Sequence, residues 1–309
     1  MYYLVYGFLY LLSLLPMGIL YLLSDGVYFL IYHVFGYRRK VVEGNLRIAF
    51  PEKSSQEIIS VSKRFYKNFV DNFIETLKLV SAGEGFILSR FKVAETDVLP
   101  ALHAKGKRCQ IHLGHNFNWE LGGVAFPLLT SYQLLVVYMP LKSKVFERIM
   151  KKIRSKTGGV LLPATNMREA MMPYRDQQYL LALVADQVPG NVNRAYWLNF
   201  FGKPTPFVQG PEKGARAGDI PVVFAQIEKE KRGYYLIHFH LAEEHPGTLE
   251  PGELTRKYRD FLEEVIRKNP DMWLWSHRRW KREWKPEYAG RWIDTAPLPV
   301  TADTSAANA

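Results

Sequence analysis

The sequence predicts an α/β fold, a mixed central sheet flanked by helices, with an N-terminal transmembrane or membrane-embedded helical anchor. Two observations carry that reading. Past residue 100, short apolar runs alternate with helical patterns, the arrangement from which helix-covered sheets are built. Before it, Tyr2 to Leu23 is an almost unbroken apolar run without a charge, close to the roughly 20 residues that span hydrocarbon. At 309 residues the chain can bury a sizeable core as one compact unit. The expected division is an anchor over 1–40, a catalytic domain over 41–294 and an unstructured tail over 295–309.

In chain order, the apolar run lacks a basic region before it and a small-residue cleavage site after it, which favours a retained anchor over a cleaved signal peptide. Asp25 and Gly26 separate it from a second, shorter apolar stretch, Val27 to Gly36. The cluster Arg38-Arg39-Lys40 then places everything downstream on the cytoplasmic side. The alternatives within the anchor are one spanning helix, a re-entrant hairpin, or a buried hairpin of a soluble protein.

Ser54-Ser55-Gln56-Glu57 offers a capping box, and Val61, Phe65, Phe69, Phe73 and Leu77 recur every four residues behind it, predicting a long amphipathic helix. Gly83 and Gly85 end that pattern. Strands are expected at 108–113, 134–138, 179–185 and 222–227, with 233–242 completing a hairpin with the last of these. Helices are expected at 145–155 and 166–174. Another should start at Pro251, present Leu254, Tyr258, Phe261, Leu262, Val265 and Ile266 as one stripe, and stop at Asn269-Pro270.

Lys and Arg number 41 against 30 Asp and Glu, a formal charge of +11. Such an excess suits an anionic partner: nucleic acid, lipid head groups or an acidic carrier protein. The single cysteine, Cys109, excludes a disulfide framework and a cysteine zinc site. The G-x-S-x-G elbow of serine hydrolases does not occur. A zinc site built from His112, His115 and Glu120, or from His238, His240 and His245, is the metal alternative. His112 is expected to point into the sheet, so no metal and no cofactor is expected.

The segment that most suggests chemistry is His115-Asn116-Phe117-Asn118-Trp119-Glu120. Five residues on one helix separate two side chains by roughly 140° of rotation, so His115 and Glu120 can meet only across a bend. His115 would then sit in the loop after strand 108–113, with Asn116 or Asn118 capping a helix whose first turn holds Glu120. The carboxylate would accept a hydrogen bond from one imidazole nitrogen, leaving the other as a general base for a hydroxyl. The spacing alone is equally that of a loop histidine beside a surface glutamate.

The motif, continued by Leu121-Gly122-Gly123, resembles the lysophospholipid acyltransferase superfamily, specifically the bacterial lipid A biosynthesis acyltransferase branch with its lauroyl- and myristoyl-type secondary acyltransferases. That branch carries H-x4-E in place of H-x4-D. Further matches follow in order: Arg38-Arg39 to Val42, Asn45-Leu46 and Phe50-Pro51; Asp186-Gln187 with Pro189-Gly190; and Trp275 with His277-Arg278-Arg279-Trp280-Lys281. Together they cover roughly residues 1 to 285, and dispersed matches are more specific than any one.

The resemblance implies His115 as general base, Glu120 as its orienting partner and a fatty acyl thioester on acyl carrier protein as donor, with no acyl-enzyme. The acceptor it implies is a membrane glycolipid, a lipid A precursor, at the cytoplasmic face of the inner membrane; a different amino- or phospholipid acceptor, and a membrane-tethered basic binding protein without catalysis, are the alternatives. It also implies a substrate-binding role for Arg154, steadying an oxyanion or phosphate; a solvated basic helix face is the plain alternative. Gly202, in Phe200-Phe201-Gly202-Lys203-Pro204-Thr205-Pro206-Phe207, matches an acceptor-side loop, although a surface connection would look the same. Asp186 and Gln187 gain a site role from the resemblance and from their place at a strand end, where open α/β sheets hold ligands; Asp186 would equally serve as a turn cap. At the C-terminus, Trp273, Trp275, Trp280 and Trp284 interleave with His277, Arg278, Arg279, Lys281, Arg282 and Lys285, as an interface with acidic head groups would require. Single-stranded nucleic acid attracts the same pattern, but no nucleic-acid module is recognisable, and none is expected as a partner.

Overall fold

A computed structural model describes residues 1–299 of the protein. The apolar N-terminus forms two helices, α1 (Tyr2–Ser13) and α2 (Met17–Phe29), the second ending in a π-helical turn over Leu30–Val34. The break falls at Pro16, which cannot donate to a preceding turn, whereas Asp25 and Gly26 lie inside α2. The expected division at Asp25-Gly26 is thereby corrected: the Asp25 carboxylate is held outside the helix by Arg232 (2.7 Å), so its charge does not interrupt the backbone.

Helices α3 (Arg39–Ala49) and α4 (Ser55–Lys78) follow, α4 opening on the expected capping box, in which Ser54 and Glu57 satisfy each other's backbone N–H. After α5 (Glu84–Arg90), β1 (Phe91–Val93) and α6 (Val98–Ala104) come β2 (Cys109–Leu113), α7 (Trp119–Leu129) and β3 (Gln133–Tyr138). Next are α8 (Lys144–Arg154), β4 (Val160–Pro163), α9 (Met167–Met171) and β5 (Tyr179–Val184). Strands β6 (Ala195–Phe200) and β7 (Lys203–Val208) lead to α10 (Gly210–Ala217), β8 (Val222–Lys231), β9 (Tyr234–Glu243) and α11 (Glu253–Lys268).

Seven strands form one sheet in the order β1-β9-β8-β2-β5-β3-β4. All neighbours are parallel except the β8/β9 hairpin, so the sheet is mixed, as expected. One face is covered by α7, which packs closely at Gly122, where a Cβ would lie 3.2 Å from Phe91 Cζ and 3.4 Å from Ile227 Cδ1. The other is covered by α11, where Tyr258 and Phe261 pack on Phe224, and Tyr258 also on His112.

Strands β1 and β4 go beyond the sequence expectation. So does the β6/β7 ribbon, which replaces the expected loop at 200–207. Its tight turn uses positive φ at Phe201 (52°) and Gly202 (70°), a geometry that glycine adopts freely. Pro204 and Pro206 fit because a two-stranded ribbon leaves alternate N–H positions outside the ladder.

Helices α1 and α2 lie against α4 with their polar atoms inward. Ser24 Oγ donates to Asp71 (2.7 Å), Tyr21 O–H to Glu75 (2.9 Å), and Lys78 Nζ caps the carbonyls of Ser13 and Leu15. The apolar side chains of Leu4, Phe8, Leu11, Ile19, Leu22 and Val27 point out. The segment Met17–Val34 is long and apolar enough to cross a membrane and is a candidate anchor. Residues 295–299 carry no regular structure; the rest of the expected tail, 300–309, lies outside the described residues.

Candidate active site

Strand β2 delivers its chain to Gly114, where the backbone is tightly enclosed. A Cβ there would sit 2.8 Å from Leu262 Cδ2, 2.9 Å from Asn116 Oδ1 and 3.2 Å from Asp186 Oδ2. Only glycine lets the chain turn here without displacing its neighbours, and the next residue, His115, is aimed across the end of the sheet.

Strand β5 is the parallel neighbour of β2, with Leu113 opposite Val184. Two residues beyond each of these stand His115 and Asp186, so the register itself brings them together. Asp186 Oδ1 lies 2.5 Å from His115 Nδ1, and Oδ2 accepts both the His115 backbone N–H (2.7 Å) and Trp273 Nε1–H (2.6 Å). Burial pushes the Asp186 carboxyl up, but its interactions with His115 and Trp273 outweigh it and hold the group at about 2. An ionised Asp186 requires the proton on Nδ1, which leaves Nε2 of the neutral ring as an acceptor on the cavity side. The Gln187 side-chain nitrogen is 3.2 Å from Nε2 and donates to it. Trp119 meets the ring edge-on, with centroids 5.3 Å apart.

Glu120 does not fill the place expected for it. The predicted bend and cap are present: Asn118 Oδ1 accepts the Leu121 N–H (3.1 Å), and Glu120 is buried in the first turn of α7. Its carboxylate, however, is held by Arg154 in a two-pronged pair, Nε to Oε2 at 2.8 Å and Nη2 to Oε1 at 2.5 Å, with Trp119 Nε1–H adding a third bond at 3.1 Å. The expected His115–Glu120 hydrogen bond is therefore corrected to His115–Asp186, because both Glu120 oxygens already have stronger, charged donors. Burial would lower the Arg154 pKa, but Glu120 outweighs it and raises it.

His115, Glu120, Arg154 and Gln187 face one cavity of about 560 Å3, within the usual range for ligand sites. Its remaining wall is mainly apolar, with Trp119, Phe126, Val136, Val184, Ile227 and Leu274 among the lining side chains. Asn118 also donates to Glu75 (2.8 Å), which receives Tyr21 O–H as well, so the cap of α7 and helix α2 share one buried carboxylate.

The other expected site residues lie outside this cavity. Gly202 stands at the tip of the β6/β7 ribbon, next to Phe201, whose backbone N–H is held by Glu263 (2.6 Å). Arg278 is exposed. Arg279 is fully buried, with its guanidinium against the Phe207 and Phe200 rings and Nη1 donating to Pro206 O (3.0 Å), so no head group reaches it.

His277 Nε2 accepts the Val188 N–H (3.2 Å), and burial, aided by Arg279, lowers its pKa to about 4, leaving it neutral and structural. His112, buried and lowered to about 3, bonds Gln110.

Segment 272–279 thus works as a strap. Met272 O accepts the Phe117 N–H (2.9 Å) beside the histidine loop, Trp273 holds Asp186, and His277 holds the turn after it. Trp273 is the site residue that the sequence pattern concealed, since one tryptophan among four in a basic segment carries no mark of its partner.

A family model described as bacterial lipid A biosynthesis acyltransferase matches residues 1–282. Comparison with curated proteins gave no match.

Proposed function

This chain belongs to the bacterial lipid A biosynthesis acyltransferase family, and from that premise we propose that it moves a fatty acyl group from an acyl carrier protein thioester to a hydroxyl of a lipid A precursor. Membership makes it an enzyme that transfers acyl groups. The observation that carries the finer reading is the His115 ring. Its Nδ1–H is fixed by a buried carboxylate, and its Nε2, which accepts from Gln187, faces an apolar cavity.

In the proposed reaction, Nε2 takes the proton of the acceptor hydroxyl as its oxygen attacks the thioester carbonyl. Asp186 stabilises the imidazolium that forms. The tetrahedral intermediate collapses with loss of the thiolate, which recovers the proton from Nε2. The acceptor oxygen gains the acyl group, the carrier leaves as the thiol, and His115 returns to its starting state with no cofactor consumed. Arg154, locked by Glu120 on the cavity wall, supplies positive charge for the oxyanion or for an acceptor phosphate. The acyl chain lies along the apolar wall.

The outward apolar face of α1 and α2 inserts into the cytoplasmic leaflet of the inner membrane in this proposal. The inverted arrangement of these helices, polar atoms inward and apolar side chains outward, supports that placement. Arg148 and Lys152, exposed on α8, lie over the rings of Tyr2 and Tyr6, a pairing of cation and aromatic suited to a head-group layer.

The test is direct. Purified protein is incubated with acyl carrier protein thioester and a lipid A precursor, and the lipid is read by mass. Wild-type protein should add one acyl chain and His115→Ala should add none; an unmodified lipid with wild-type protein would refute the assignment.

A further inference from the structure

A second cavity, of about 330 Å3, lies between α6, α7 and β9, bounded by Val93, Leu99, Pro100, Leu129 and Phe239 on its apolar side and by His103 and Thr130 on its polar side. Among the described residues, one side chain lines both this cavity and the active-site cavity: Phe126. It is almost fully buried and held between Phe91, which it meets edge-on, and Phe239, which it meets at a tilt, with ring centroids 6.1 and 5.7 Å away.

The position of Phe126 along α7 gives the shared wall its meaning. Glu120 stands at the reactive end, in the first turn of the helix. Six residues on, at about 1.5 Å per residue, Phe126 lies roughly 9 Å deeper along the helix axis. Between them Gly122 and Gly123 line the cavity, and a Cβ on Gly123 would meet nothing within 4 Å, so this stretch of the wall is left open. A chain entering with its carbonyl at His115 would run past the two glycines and meet the Phe126 ring.

We propose that Phe126 closes the far end of the acyl cavity and sets the longest chain the enzyme accepts. The inference rests on the reading of the active-site cavity as the acyl site. Shortening residue 126 joins the two cavities and gives the chain further room on the apolar side of the second one. Burying extra methylene groups there favours longer donors, and one such group discriminates by roughly tenfold or more in a fitted pocket.

The experiment competes lauroyl, myristoyl, palmitoyl and stearoyl thioesters on wild-type protein, Phe126→Ala and Phe126→Trp. Phe126→Ala should move the optimum at least one donor longer, with about a tenfold change in relative kcat/KM, and Phe126→Trp should move it shorter. An unchanged profile in folded Phe126→Ala overturns the proposal. Should the alanine variant not fold, Phe126→Leu decides by the same criterion with a smaller shift.

A second readout, binding of the free fatty acids of the same lengths, separates this inference from the function itself. A moved length cut-off without transfer to the lipid would keep the ruler and remove the acceptor assignment. Transfer with an unmoved cut-off would do the reverse.

Discussion

His115 and Asp186, 71 residues apart in sequence, meet through a 2.5 Å contact between Nδ1 and Oδ1, while Glu120 of the same motif as His115 is bound by Arg154. The family's five-residue spacing thus serves two separate pairs. The histidine takes its orienting acid from the neighbouring strand, and the glutamate orients a cation on the opposite wall of the cavity.

That division predicts a particular pattern in a double-mutant cycle. Arg154→Ala should lower kcat by about 10²–10³, the usual cost of one oxyanion donor, and Glu120→Gln should cost less, because the guanidinium remains. If Glu120 acts through Arg154, the double variant should be no slower than Arg154→Ala. Additive losses in steady-state kinetics would mean that Glu120 has a separate role at His115.

The N-terminal face should behave as a membrane contact that contributes little to folding. Leu11 and Leu22 are 67% and 72% exposed, so Leu11→Glu with Leu22→Glu should leave the melting temperature in detergent within a few degrees and abolish flotation with anionic vesicles. Leu20, fully buried, is the control: Leu20→Glu should unfold the protein, since an unpaired buried charge is costly. Undiminished flotation of the exposed double variant would contradict the placement.

Stability should fall with acid in two stages. His277, lowered to about 4 from 6.5, is neutral when folded. The unfolded chain therefore binds an extra proton between those values, and stability present above about 6.5 is lost as pH falls toward 4. Asp186, lowered to about 2 from 3.8, adds a further loss below about 4. Urea melts across pH should show a shallower slope between pH about 6.5 and 4 in His277→Gln, which keeps an acceptor for the Val188 N–H. An identical slope would assign that window to other groups.

Much of the frame was legible because it depends on local patterns. The capping box at Ser54, the apolar stripe of α11 and the short runs that became β2, β3, β5, β8 and β9 each follow from neighbours in sequence. What escaped was set by distance or disguise. Three-residue β1 is too short for a period, proline masks the β6/β7 ribbon, and Pro16 breaks a run that composition alone reads as continuous to Leu23.

The bend after His115 and the cap at Asn118 were within reach of helical geometry. The partner of Glu120 was not, because Arg154 arrives from another helix. Asp186 is marked in the sequence by the resemblance and by its strand end; its tie to His115 needs the sheet order that makes β2 and β5 neighbours. Arg279 was misleading for a related reason: its charge suggests solvent, but the aromatic rings around it keep it inside.

The central claim, that Asp186 holds His115 as the base for acyl transfer, is tested most directly by the turnover of Asp186→Asn. Two donors, the His115 N–H and Trp273 Nε1–H, converge on Oδ2 and would orient the amide oxygen there, turning its NH2 toward Nδ1 and forcing the ring proton onto Nε2. With acyl carrier protein thioester and lipid A precursor saturating, kcat should drop about 10³–10⁴-fold with KM little changed. Turnover within a few-fold of wild type in a folded Asp186→Asn protein would contradict it.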